Sequence, residues 1–97
     1  MEEKYNGWTN YETWLLKAWI NNDETDYNYF QNVARQTLEN VADKDKQQAD
    51  FADHIKNYFT DKKPRIKPIF FQMLLETAFG RIDFKDISIS ILEDMAK

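Results

Sequence analysis

The chain is almost without helix breakers. Its 97 residues hold two glycines and two prolines, and between them the apolar side chains recur with a helical rather than an alternating period. That spacing predicts an all-α fold, a compact single-domain bundle of four to five helices over residues 1–97, because each amphipathic stripe has to be covered by another. At this length one modest core can form and a second cannot.

All three tryptophans, Trp8, Trp14 and Trp19, lie within the first fifth of the chain. Thr9 and Glu12 have the spacing of a capping box, which predicts a first helix over about residues 10–21. Tyr11, Trp14, Leu15, Ala18 and Trp19 then share one face, the expected buried one, and Trp14 is expected to be a core residue whose loss unfolds the domain. Asp23, Glu24 and Asp26 crowd the start of a second helix, where the macrodipole favours negative charge. Its stripe of Tyr27, Phe30, Ala34, Leu38 and Val41 runs to about residue 42.

Asp43-Lys44-Asp45-Lys46 interrupts the apolar pattern without glycine or proline, so the second and third helices either separate there or join with a bend. Phe51, Ala52, Ile55, Tyr58 and Phe59 predict a third helix over about residues 46–59, followed by a linker over residues 60–67. Pro68 suits the first turn of a fourth helix and Gly80 a left-handed stop. Between them Ile69, Phe70, Phe71, Met73, Leu74, Leu75, Ala78 and Phe79 surround the axis, the pattern of a central buried helix. Asp83 caps a fifth helix to about residue 96. The alternation Ile87-Ser88-Ile89-Ser90-Ile91 also fits a strand, but that strand would have nothing to pair with.

Several function classes lose their usual signals. The chain has no cysteine, hence no disulfide, thiolate metal site or thiol nucleophile. Its apolar runs are too short to cross a bilayer, and Met1-Glu2-Glu3 lacks the basic start of a secretory signal, so a cytoplasmic protein is expected, without membrane contact. The one histidine, His54, stands at i, i+4 from Asp50, too few ligands for a metal centre. Ser88 and Ser90 sit in no nucleophile elbow, and Gly7 and Gly80 form no phosphate loop. Thr9, Asn10 and Glu12 bring a hydroxyl, an amide and a carboxylate together, but as a helix start. The expectation is a non-enzyme with no catalytic residue, no cofactor and no metal.

Charge is the remaining signal. Residues 1–61 carry six basic and twelve acidic side chains, whereas Lys62, Lys63, Arg65 and Lys67 concentrate positive charge in the linker. The acidic side chains Asp23, Glu24, Asp26, Asp43, Asp45, Asp50 and Asp53, with Tyr5 and Trp8 as exposed rings, are the candidates for binding a protein partner. The four basic residues are the candidates for touching nucleic acid, although a sequence pI near 4.9 opposes tight general binding.

The run Asn6-Gly7-Trp8-Thr9-Asn10-Tyr11-Glu12-Thr13-Trp14, followed by the amphipathic stretch Leu15 to Ile20, resembles the opening signature of a family of small proteins carried by phages, plasmids and other mobile elements. Leu74 to Gly80 and Asp83 to Ile87 resemble that family's closing segment more loosely. The resemblance implies a mobile-element gene product and assigns no catalytic residue. With it, the expected role is binding a host protein, most concretely inhibiting a defence system such as a restriction or CRISPR nuclease. The alternative is a nucleic-acid-binding accessory protein that uses the basic linker, and an enzyme built on His54 and Asp50 ranks below both.

Overall fold

In the computed structural model, which describes residues 4–96, five α-helices are joined by short turns: α1 (Tyr11–Asn22), α2 (Glu24–Asn40), α3 (Lys44–Lys62), α4 (Ile69–Gly80) and α5 (Phe84–Ala96). Met1-Glu2-Glu3, read above for targeting, lies outside the described residues. The all-α expectation is met, and residues 87–91 are helical. Among the described residues the only β-type pairing is an isolated bridge between Tyr5 and Trp8.

Asp side chains set the boundaries. Asp23 ends α1 and starts α2, its Oδ2 accepting from the Asp26 amide at 2.9 Å, and Asp43 does the same for α3 through the Lys46 amide at 3.1 Å. The second and third helices are therefore separate, because a carboxylate that satisfies orphan amide donors fixes a helix start without any glycine. Asp83 caps α5 by accepting from the Asp86 amide. The third helix runs on to Lys62, so Thr60, Asp61 and Lys62 belong to it and not to the linker.

The core lies between α2, α3 and α5, with α1 closing one side. Phe30, Ala34, Phe51, Ala52, Ile55, Phe84, Ile87, Ile91, Leu92 and Ile20 fill it. Phe30 meets the rings of Phe51, Tyr58 and Phe59 at centroid distances of 5.0–6.2 Å. Ser88, fully buried on α5, donates to the Gln48 carbonyl at 2.8 Å, so its hydroxyl is not left unpaired in the core.

Two expectations about faces fail. Thr13, Lys17 and Ile20 are the buried side chains of α1, on the side opposite the aromatic stripe, while Tyr11, Leu15 and Trp19 are 47%, 49% and 55% exposed. Trp14 is half-buried against Tyr5 and Tyr11 rather than in the core. The polar face can turn inward because its groups are satisfied there. Thr13 is held by hydrogen bonds at both ends, and the Lys17 ammonium donates to Asn21 Oδ1 at 2.8 Å. Burial pushes the Lys17 ammonium below its usual range, and the Asp94 carboxylate pulls it back up.

The second failure is α4. It has no buried residue and makes no helix–helix contact comparable to those joining α1, α2, α3 and α5. Ile69, Phe70, Phe71, Met73 and Leu74 are 51–74% exposed. This helix is peripheral, not central, and the radius of gyration of 14.2 Å exceeds the about 12–13 Å of a compact chain of this length. Its ends also differ from expectation. Pro68 is the residue before the helix, and Gly80 is helical, with Arg81 in the right-handed region as its C-cap. The chain leaves instead through tight turns, in which the Arg81 and Ile82 amides donate to the Ala78 and Phe79 carbonyls.

Candidate functional site

The tryptophan-containing segment is a hydrogen-bonded tie between the start of α1 and the α4–α5 junction. Asn6 and Gly7 both have positive φ, 49° and 86°, the geometry of a two-residue Asn-Gly hairpin turn. That turn lets the Tyr5 and Trp8 backbones bond each other at 2.8–2.9 Å. The Trp8 ring is consequently packed against the core, not left as an exposed anchor. Thr9 and Glu12 do not form the expected capping box. Asn10 is the N-cap, accepting from the Thr13 amide at 2.9 Å and donating to the Arg81 carbonyl at 2.7 Å.

Thr9 reaches across to α5. Its amide donates to Asp86 Oδ2 at 3.0 Å, and its hydroxyl lies 2.9 Å from Asp83 Oδ2 and 3.0 Å from Asp86 Oδ2. The Thr13 hydroxyl donates to Asn10 Oδ1 and accepts from the Asp83 amide. Glu12 pairs with Arg81 at 3.2 Å. Thr9 and Asn10 are therefore engaged in holding two helix starts together, and with Glu12 turned to Arg81 the trio is not an acid–base constellation.

What this tie leaves outside is the candidate site. Between α1 and the inner side of α4 runs an apolar groove of about 410 Å³ lined by Glu12, Leu15, Leu16, Trp19, Leu75, Ala78, Phe79 and Ile82. Phe79 and Ile82 root it in the core, and Phe79 meets Phe84 at 5.6 Å. Trp19 forms the exposed wall. Its indole N–H donates to Asp26 Oδ2 at 3.0 Å, while Asp26 Oδ1 accepts the Tyr58 hydroxyl at 2.7 Å. That bond keeps the proton on Tyr58 and pushes its pKa up to about 12. A ring whose polar edge is pinned and whose face is open loses little freedom when something packs on it.

The sequence-derived candidates fall in different places. Asp26 is 8% exposed and committed to Trp19 and Tyr58, so it positions a ring rather than meeting a partner. Asp23 and Asp43 are helix caps. Glu24, Asp45, Asp50 and Asp53 are exposed on α2 and α3, away from the groove lining. Tyr5 is 38% exposed and sits 5.1 Å from both Tyr11 and Trp14 in a surface ring cluster. Of the basic residues, Lys63, Arg65 and Lys67 line one open cavity of about 530 Å³ beside the start of α4, and Lys62 does not. Lys63 pairs with Glu76 at 2.7 Å and lies over the Phe79 ring, holding the Glu76 carboxyl below its usual range, and Lys62 lies over Tyr58. Arg65 and Lys67 remain as exposed loop cations.

His54 is exposed and shares a 2.7 Å hydrogen bond with the Tyr29 hydroxyl. Among the described residues no group of three or more His, Cys, Asp or Glu side chains could hold a metal ion. No helix among them is long and apolar enough to cross a membrane. Leu15, Leu16 and Leu75 line the groove but belong to no motif that marks a site in the sequence. The available signal was that α1 and α4 together carry more apolar surface than one core of this size can cover.

The chain belongs to a family of unknown function, DUF7249, whose profile matches residues 1–94. No curated protein and no solved structure matches it.

Proposed function

We propose that the chain performs no chemistry and acts by binding a protein, seating an apolar-faced helix of a host protein in the groove between α1 and α4. The observation that carries this reading is Trp19, 55% exposed yet fixed through its indole N–H by Asp26. An immobilised aromatic beside Leu15 and Leu75, with an ion pair, Glu12–Arg81, at the rim, has the make-up of a recognition hot spot. Helix-in-groove recognition would read partner residues at i, i+3 or i+4, and i+7. The resemblance to mobile-element proteins supports the finer proposal: the host protein is a defence nuclease, of restriction or CRISPR type, inhibited in the host cytoplasm.

The test is protection of phage or plasmid in cells carrying such a nuclease, with co-purification of the nuclease complex. Leu15→Asp and Trp19→Ala are expected to weaken binding at least about tenfold and to abolish protection, while exposed Lys85→Ala does neither. No protection and no co-purifying nuclease would overturn the defence reading. A gel shift at low salt that disappears when Arg65 and Lys67 become alanine would instead favour the nucleic-acid alternative.

A further inference from the structure

We infer that the outward stripe of α4 is the docking surface for a second copy of this chain, paired through two antiparallel α4 helices about a two-fold axis near Met73. The two sides of α4 have different surroundings. Leu75, Ala78 and Phe79 look into the groove, and Gln72 and Glu76 are tied to the 63–66 loop through the Ile66 amide and Lys63. At 3.6 residues per turn, Ile69, Phe70, Met73, Leu74 and Thr77 fall together on the remaining side. Ile69, Phe70, Met73 and Leu74 are 74%, 60%, 62% and 52% exposed.

Charge and area select the occupant. An isologous interface sets each patch against itself, so any net charge on it repels the second copy. This stripe carries none, and the one ionised side chain of α4, Glu76, lies off it and is paired with Lys63. A partner chosen by charge would find only the loop cations Arg65 and Lys67, at the Ile69 end of the stripe, and an anionic lipid surface would face a chain of net charge −4. With Phe71 at the edge, the exposed side chains amount to on the order of 600 Å² per protomer, about 1,200 Å² for a pair, at the lower end of specific interfaces. That is at the upper end of the largest apolar patch a monomer usually leaves, about 300–600 Å². A 12-residue helix with no side-chain cap is also marginal unless its faces are packed. This proposal uses the side of α4 away from the groove and does not depend on a host helix occupying it.

Sedimentation equilibrium of the full chain, from low micromolar to several hundred micromolar, is the test. The mass should rise from 11.7 kDa toward twice that value. Phe70→Glu and Met73→Glu, each placing like charges across the axis, should weaken association at least about tenfold while leaving the helical signal and the melting of the dilute protein unchanged. Trp19→Ala should leave association within about threefold, so a failed pairing and a failed groove are separately visible. A constant monomer mass overturns the inference, as does pairing that survives Met73→Glu. Monomers that instead co-sediment with phosphatidylserine vesicles would overturn it in favour of a lipid surface.

Discussion

Helices α4 and α5 follow one another in the chain and have nearly equal lengths, 12 and 13 residues, yet α5 buries Phe84, Ile87, Ser88, Ile91 and Leu92 whereas α4 buries nothing. The more apolar helix is the less covered one. On α5, Lys85, Glu93 and Asp94 mark a solvent side, so only one rotation about its axis buries apolar groups without burying charge. Around α4, only Gln72, Glu76 and Thr77 interrupt the apolar surface, and two of these are held by the neighbouring loop. Apolar content states how much surface must be covered. The placement of polar groups decides which face is covered by the chain's own core.

The largest expected effect tests that contrast directly. Ile87→Ala removes a fully buried side chain of α5 and should cost about 2–5 kcal/mol. Leu74→Ala on α4, measured in dilute protein, should stay within about 0.5 kcal/mol. Urea unfolding monitored by circular dichroism gives both values. Equal losses would mean that α4 is packed against the core in solution and that the contrast is false. Amide exchange should divide the same way, fast through α4 and slow through α5.

Thr13 ties α1 to the start of α5 and should come next. Thr13→Val keeps the volume but leaves the Asp83 amide without its acceptor and removes one of the two bonds to Asn10 Oδ1, the one from the Thr13 amide remaining, at a fully buried position. The expected loss is about 1–3 kcal/mol. If the variant melts like the parent, the tie contributes nothing and α5 is placed by its apolar face alone.

The order of the helices was legible, and their number to within one, because most boundaries are local: Asp23, Asp43 and Asp83 cap by chemistry that a few residues contain, although Asp43-Lys44-Asp45-Lys46 also suits a bend within one longer helix. The faces of α1 were not. Tyr11, Leu15 and Trp19 form the more apolar stripe, and only bonds to residues about 70 positions away, Arg81, Asp83 and Asp86, turn Thr13 inward instead. Such a preference is invisible to periodicity, which ranks faces by apolar content. The groove shared this fate, since it exists because both α1 and α4 present the wrong face by that rule. The hairpin was within reach: Asn6-Gly7 between aromatic residues is a strong two-residue turn signal.

Gly7→Ala should have a smaller effect, about 1–2 kcal/mol, because its φ of 86° disfavours any side chain. Nothing lies within 4 Å of the added Cβ, so the cost is that of the backbone alone. A differential scanning measurement decides it. A loss well above that range would mean that the turn also places Trp8 on the core, extending the tie that secures α5 and leaves α4 outside.

The smallest effect concerns the Trp19 wall that faces the inner side of α4 across the groove. Tyr58 donates to Asp26, and Asp26 holds the Trp19 indole, so the phenol has a folded pKa pushed up from 10.0 to about 12. A raised pKa contributes stability that is complete below about pH 10 and is lost as pH rises toward about 12. Tyrosinate absorbance of the parent should therefore include a late step that is absent in Tyr58→Phe, and the variant should lose less stability over that interval. Trp19 fluorescence should move with the late step in the parent, because Asp26 gains a charged neighbour there. If the parent and Tyr58→Phe show the same late absorbance change, Asp26 does not hold Tyr58 in solution. The groove then has no fixed wall, and α4 differs from α5 on both of its sides rather than one.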